Sequence, residues 1–138
     1  MKPLIIESTE FTPNVTFEPE KCYFELKGVS RPENVMGFYD PLIKWLRDYE
    51  KKISSYIDSA GEIKLVIKLD YFNSSTSKYL LQVLEVFKSY IDAGHKVVVE
   101  WYYDEWDDQM LEDGEDLSEA VSIDFDYIAK EGEIEDDE

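Results

Sequence analysis

The 138-residue chain is 43% hydrophobic, which suits one folded domain with a two-layer core and argues against a disordered chain. Its formal net charge is −18, and 17 acidic residues against one lysine between Asp104 and Glu138 account for −16 of it, which argues against binding to a nucleic-acid backbone. No apolar run approaches the roughly 20 residues that span a membrane, and the single cysteine, Cys22, allows no internal disulfide, so we expect a cytoplasmic protein with no membrane partner.

The first thirty residues predict short antiparallel strands joined by turns. The stretches KPLIIES and VTFEPEK are extended pieces on either side of Thr12-Pro13. The next stretch, KCYFELKGVS, alternates apolar and polar side chains with period two. These pieces therefore predict an antiparallel start to the sheet.

A helix is predicted from Val35 to Ile53, where apolar residues recur every three or four positions. It follows the loop RPEN, and Asn34 can cap its start. Pro41 either kinks this helix or belongs to a second start with Asp40 as the cap. The sequence leaves both alternatives open.

The second half of the chain predicts alternating strands and helices. DSAGE is a predicted loop, IKLVIKLDYF and KVVVEWYY are buried strands, and the helix between them ends at Gly94. The acidic stretch DEWDDQMLEDGEDLSEAV predicts a weak helix interrupted by Gly114, with Trp106 exposed, and SIDFDYIAK predicts an edge strand. The order β-β-β-α-β-α-β-α-β predicts one α/β domain with a mixed sheet, residues 1–130, followed by a disordered acidic tail, residues 131–138.

Residues typical of catalytic and metal sites are sparse in this chain. There is one histidine, His95, so a transition-metal site of the usual kind has too few ligands. The chain has no glycine-rich phosphate loop and no Gly-x-Ser-x-Gly elbow. We therefore expect a protein that is not an enzyme and that has no cofactor and no metal site.

Four hydroxyls follow Asn73 in a row, Ser74, Ser75, Thr76 and Ser77, at the corner between the predicted central strand and the following helix. The carboxyl ends of such strands are where α/β proteins place their binding sites. Asn and Ser are preferred helix caps, but one cap is enough for one helix. A phosphate here would meet unpaired helix N–H groups and the positive end of the helix dipole. From the residues alone, a helix cap and a phosphorylation site both remain open.

Four short motifs carry a resemblance to a known family. They are TP at Thr12-Pro13, GVSRPEN from Gly28 to Asn34, LDYFNSSTS from Leu69 to Ser77, and WYYD from Trp101 to Asp104. In this order and spacing the chain resembles the SiaC family of bacterial regulatory phosphoproteins, whose fold is similar to STAS-domain anti-sigma-factor antagonists. The likeness covers nearly the whole chain up to the acidic tail.

The resemblance implies a partner-switching phosphoprotein in signal transduction. In such families a cognate serine/threonine kinase phosphorylates one hydroxyl at the start of the helix after the central strand, and a PP2C-type phosphatase removes the phosphate. The unmodified form binds its target, which in SiaC-type systems is a diguanylate cyclase that makes cyclic di-GMP, a signal in biofilm regulation. The family's acceptor follows an Asn at the strand end, which implies Ser74 after Asn73 here, with Ser75 or Thr76 as alternatives.

The corner and the RPEN loop supply the predicted partner-binding residues. These are Tyr71, Asn73, Ser75, Thr76 and Ser77 at the corner, and Pro32, Glu33 and Asn34 in the loop. A second hypothesis is a constitutive interaction or scaffold module without phosphorylation, whose acidic flank binds a basic partner.

Overall fold

The computed structural model describes residues 1–131, so the predicted tail lies outside the described residues except for Glu131. The described part contains six strands and four α-helices, and none of these helices is long and apolar enough to cross a membrane. The strands are β1 (Leu4–Ile6), β2 (Asn14–Glu18), β3 (Tyr23–Ser30), β4 (Ile63–Phe72), β5 (Val97–Asp104) and β6 (Asp126–Lys130). The helices are α1 (Val35–Glu50), α2 (Ile57–Ala60), α3 (Ser74–Asp92) and α4 (Asp108–Val121).

The strands form one mixed sheet in the order β1-β2-β3-β4-β5-β6, which confirms the predicted α/β class. The pairs β1–β2 and β2–β3 are antiparallel, and the pairs from β3 to β6 are parallel. Each parallel connection contains a long helix, α1, α3 or α4 in turn. Right-handed crossovers that advance in one direction place their helices on the same face of the sheet, and α3 packs against both α1 and α4. The similarity to STAS domains stays a prediction.

The core lies between the sheet and this helical layer. Alternate residues of β4 are buried against the helices, from Ile63 to Leu69. Phe24 on β3 is the centre of an aromatic cluster, with edge contacts to Tyr49 of α1 and Phe87 of α3. No described helix covers the other face of the sheet. We call it the open face, and its side chains include Thr16, Glu25, Lys64, Lys68 and Tyr102.

Helix α1 is continuous through Pro41, so the alternative of a second helix start at Asp40 is wrong. The helix has one cap, because the Asn34 side-chain oxygen accepts a hydrogen bond from the Gly37 amide at 3.0 Å. An apolar stripe that includes Leu42 and Leu46 continues past the proline and is buried in the core. Tertiary packing of that stripe offsets the one backbone hydrogen bond that the proline removes.

The predicted loop DSAGE instead contains most of the short helix α2, and this part of the prediction is wrong. The helix has a single turn and ends at Gly61, whose amide donates to the carbonyl of Ile57 at 2.7 Å. Gly61 has a φ of 81°, a left-handed conformation that favours glycine. One turn is too short to show a hydrophobic period in the sequence.

Helix α4 is not interrupted at Gly114, which corrects the predicted break. The indole N–H of Trp101 on β5 donates to the carbonyl of Met110 at 3.0 Å, so this ring lies directly against the helix backbone. A Cβ atom at Gly114 would lie only 2.5 Å from the Trp101 Nε1 atom. The glycine is therefore required for close packing of strand and helix, and it does not break the helix.

Replacing Gly114 with alanine is expected to destabilise the protein, although alanine is the better helix former by about 1 kcal/mol. The added methyl group would have to displace the Trp101 indole, and such overpacking costs about 1–3 kcal/mol. Urea unfolding measures whether the substitution lowers or raises the free energy of unfolding. Glu115→Ala, at the exposed neighbouring position, is the control and should change the free energy of unfolding by less than about 0.5 kcal/mol. A stabilised Gly114→Ala variant would contradict this account of the packing.

Candidate functional site

Four separate segments of the chain meet on one side of the sheet. Strands β3, β4 and β5 run parallel, so the segments that follow them, residues 31–34, 73–77 and 105–107, lie on the same edge. Strand β2 runs the other way, so the loop before it, residues 7–13, lies there too. The Arg31 amide donates to the Phe11 carbonyl at 2.8 Å, which joins two of these loops. We call these four segments the carboxyl edge.

The corner between β4 and α3 is capped by Asn73. Its side-chain oxygen accepts a hydrogen bond from the Thr76 amide at 2.9 Å, and its carbonyl accepts one from the Ser77 amide. The cap therefore requires none of the four hydroxyls. Among the residues that the structure describes, the Ser74 and Ser75 side chains are exposed and make no hydrogen bond. Two hydroxyls at the helix start are thus available to an enzyme.

Thr76 differs from its neighbours because it is fully buried. Its hydroxyl donates to the backbone carbonyl of Ser30 at 3.1 Å and lies 3.0 Å from the Ser30 hydroxyl. The Ser30 hydroxyl in turn lies 2.7 Å from the hydroxyl of Tyr39 on α1. This buried network joins β3, α1 and α3, and it leaves Thr76 inaccessible to a modifying enzyme.

Tyr39 keeps this network neutral. Burial raises the pKa of Tyr39 to about 12, and the hydrogen bond with Ser30 only partly opposes that effect. The phenol therefore stays protonated throughout the physiological range and remains a hydrogen-bond donor. Sequence reasoning missed Ser30 and Tyr39, because Ser30 and Thr76 are 46 positions apart and no local pattern connects them.

Tyr71 is exposed because of an irregularity in the strand pairing. Gly28 pairs with Leu69 and Val29 pairs with Tyr71, so Asp70 is an extra residue between the two pairs. Strict alternation would turn Tyr71 to the core side together with Leu69. The extra residue instead leaves its side chain 51% exposed. Such irregularities often redirect side chains next to functional sites.

Three further large apolar side chains are exposed at or beside the carboxyl edge. They are Phe11 at 46%, Met36 at 57% and Trp106 at 70%. The Arg31 guanidinium lies over the Phe11 ring, 5.0 Å from its centre. Trp106 lies in the turn before α4 rather than on that helix. Exposed apolar surface gathered in one place is typical of a protein-binding surface.

The structure brings most of the predicted partner-binding residues to this edge. Glu33, Asn34, Ser75 and Tyr71 are exposed there, and Pro32, Asn73 and Ser77 are partly exposed. Asn34 also caps α1, and the Asn73 amide donates to the Ser30 carbonyl at 3.3 Å, directly before the RPEN loop. Thr76 alone points into the core. Sequence analysis did not select Phe11 or Met36, since neither lies in a distinctive motif.

A phosphate on Ser74 would meet a favourable electrostatic setting. Ser74 and Ser75 are the first two residues of α3, where backbone N–H groups have no intrahelical acceptor and the helix dipole is positive. Lys78 is four residues after Ser74, on the same side of the helix, and it is exposed. The corner can therefore hold added negative charge without unfolding.

Comparisons with known proteins agree on one family. The family model of the SiaC family regulatory phosphoproteins matches residues 6–130. An uncharacterised protein of Pseudomonas aeruginosa strain UCBPP-PA14 is 25% identical over 125 residues, which are 91% of this chain and 94% of the relative. The matched region includes all four segments of the carboxyl edge.

Two crystal structures from Pseudomonas aeruginosa share the fold. The structure of apo-SiaC matches with a TM-score of 0.80 and 25% identity, over 94% of this chain and 100% of that one. A chain in the structure of the diguanylate cyclase SiaD in complex with its activator SiaC matches with a TM-score of 0.79 and 24% identity, over 92% of this chain and 99% of that one.

Proposed function

Because the chain belongs to the SiaC family of regulatory phosphoproteins, we propose that it is a non-enzymatic phosphoswitch that binds a diguanylate cyclase when unmodified. The observation that carries this proposal is an exposed, unbonded Ser74 at a capped helix start, beside exposed aromatic side chains. The SiaC relative is the activator of its cyclase, which supports activation as the effect here. The output is then the level of cyclic di-GMP.

The proposed cycle has three cytoplasmic protein partners. A cognate serine/threonine kinase adds the phosphate, a PP2C-type phosphatase removes it, and the diguanylate cyclase is the target of the unmodified form. Ser74 is the proposed acceptor, since it is exposed and directly follows the capping Asn73. Ser75 is the remaining alternative, because the hydroxyl of Thr76 is enclosed in the buried network.

The switch itself is proposed to work by desolvation and charge. A partner that covers the exposed Tyr71 and Trp106 side chains would remove water from this edge of the sheet. A phosphate at Ser74 carries about −1.5 to −2 charge at neutral pH and is strongly hydrated. Burying it under an apolar partner would require stripping that water, so the modified form would dissociate.

A second candidate function rests on the acidic surface of α4. Its exposed carboxylates include Asp108, Glu112 and Glu115, which fit a constitutive module for a basic partner. Binding of that kind is governed by charge and weakens steeply with added salt. Binding governed by the aromatic side chains of the carboxyl edge would depend on salt much less.

Tyr71→Ala is expected to weaken binding to the cognate diguanylate cyclase by roughly 30-fold, the loss typical of an aromatic side chain at the centre of an interface. The structural reason is the large exposed ring beside Ser74. Isothermal titration calorimetry with the purified cyclase measures the affinity, and the rate of cyclic di-GMP formation reports the functional consequence.

The control is Tyr56→Ala, which removes a partly buried tyrosine, stacked on Tyr49, from the opposite edge of the sheet before β4 begins. It should leave the affinity within about twofold once folding is verified by circular dichroism. Equal affinities of wild type and Tyr71→Ala for the cyclase would show that the docking surface does not lie at the corner.

A further inference from the structure

Arg31 lies between two parts of the carboxyl edge. It directly follows β3, the strand between β2 and β4, so the loop that contains Phe11 is on one side of it and the corner that contains Ser74 is on the other. The Arg31 amide donates to the Phe11 carbonyl at 2.8 Å. The carbonyl of Ser30, one residue earlier, accepts a hydrogen bond from the Asn73 amide at 3.3 Å. The backbone therefore places one arginine next to both the exposed Phe11 ring and the proposed phosphate acceptor.

The guanidinium of Arg31 has no carboxylate partner among the residues that the structure describes. It lies over the Phe11 ring, 5.0 Å from its centre, and its N–H donors make no hydrogen bond or ion pair within this part of the chain. The side chain is exposed, in a protein with 32 acidic residues and a net charge of −18. Its contact with a neutral ring leaves the guanidinium able to bind an anion that appears nearby.

A phosphate on Ser74 would compete successfully with the Phe11 ring for Arg31. A cation–π contact is weak at an exposed site, whereas an arginine–phosphate pair is charge-assisted and often has two parallel hydrogen bonds. Ser30 pairs with Phe72 in the register of β3 and β4, so Arg31 and Ser74 follow a directly paired position by one and two residues. Neighbouring strands are only about 4.8 Å apart, and an arginine side chain is long enough to cross that spacing.

We propose that a phosphate on Ser74 is bound by Arg31, whose guanidinium then leaves the Phe11 ring. Phosphorylation thereby changes the carboxyl edge at two places, because Phe11 loses the cation that covers it on the far side of β3. The inference rests on the proposed function, since it takes Ser74 as the acceptor. Lys78, four residues after Ser74 and exposed, is the competing cation.

Phosphorus NMR tests the contact on the 138-residue chain with Ser74 replaced by phosphoserine during synthesis, so that no kinase is needed. A bound guanidinium stabilises the phosphate dianion and therefore lowers its second pKa, which is about 6 without such a partner. Arg31→Gln should raise this pKa by roughly half a unit. The matched control is Arg47→Gln, at the other arginine of the chain, which is exposed in the last turn of α1 and should leave the pKa unchanged.

Nuclear Overhauser contacts between the Arg31 side chain and the Phe11 ring report the release directly. They should be present in the unmodified protein and lost when Ser74 carries the phosphate. Contacts that persist with the phosphate in place, or equal phosphate pKa values with and without Arg31→Gln, would overturn the proposal. A pKa raised by Lys78→Gln and not by Arg31→Gln would overturn it too, because Lys78 would then bind the phosphate.

These measurements need neither the kinase nor the cyclase, so the inference and the proposed function fail separately. Failure of the proposed function appears as a Ser74 that the kinase does not modify, or as cyclase binding that the phosphate does not change. Failure of the inference appears as a phosphate whose pKa does not respond to Arg31→Gln.

Discussion

Ser74→Ala is expected to abolish phosphorylation by the cognate kinase, whereas Ser75→Ala should leave one phosphate per chain. Both hydroxyls are exposed and make no hydrogen bond among the described residues, so the pair differs mainly in position along the helix. Ser74 directly follows the capping Asn73, and Lys78 is on its side of the helix. Intact-mass analysis after incubation with the kinase and ATP counts the added phosphates.

Loss of modification in Ser74→Ala cannot be ascribed to unfolding if the variant is as stable as the wild type. The cap is the Asn73 side chain, so removing the Ser74 hydroxyl should change the free energy of unfolding by less than about 0.5 kcal/mol. Equal modification of wild type and Ser74→Ala would show that the acceptor is wrong. Loss of modification in Ser75→Ala alone would identify Ser75 as the phosphate acceptor.

The corner was predictable because its signals are local. The apolar run before Asn73 and the three-to-four spacing after it predict a strand and a helix, and Asn is a preferred cap between them. The structure confirms the strand and the helix there. The structure also shows that the Asn73 side chain caps the helix, so none of the four hydroxyls is needed as the cap.

Features that depend on distant partners were not predictable from the same patterns. Glycine has a low helix propensity, but α4 continues through Gly114, and only the Trp101 ring packed against it explains why a glycine is present there. Thr76 resembles its hydroxyl neighbours in sequence, but contact with Ser30 from another strand makes it a core residue. Tyr71 continues an apolar alternation, and the extra Asp70 in the pairing turns it outward. In each case tertiary contacts override a correct local preference.

The open face is likewise a consequence of how the strands are connected, and local sequence patterns do not show it. Period-two alternation predicts strands with one polar face, and it does not say whether a second layer of helices covers that face. The three parallel connections from β3 to β6 place their helices on one side, and the charged side remains uncovered. The open face is therefore recognised only from the order and direction of the strands.

Phosphorylation of Ser74 is expected to weaken binding to the diguanylate cyclase by about 100-fold or more. Such a loss corresponds to about 2.7 kcal/mol, and the desolvation of a buried, unpaired charge readily exceeds this amount. Ser74→Glu should show a smaller loss in the same direction, because a carboxylate carries less negative charge than the phosphate. Titration of unmodified, phosphorylated and Ser74→Glu protein with the cyclase gives the three affinities.

Ser55→Glu separates a local effect at the corner from a general effect of added negative charge. Ser55 is exposed and lies at the opposite edge of the sheet, so the same charge placed there should leave the affinity within about twofold. A phosphoswitch at the carboxyl edge requires that Ser74→Glu weakens binding to the cyclase and that Ser55→Glu retains it. Equal gains in affinity at both positions, together with a steep dependence on salt, would instead favour the constitutive acidic module, because added negative charge strengthens the attraction to a basic partner. Undiminished binding by the phosphorylated protein would contradict the switch.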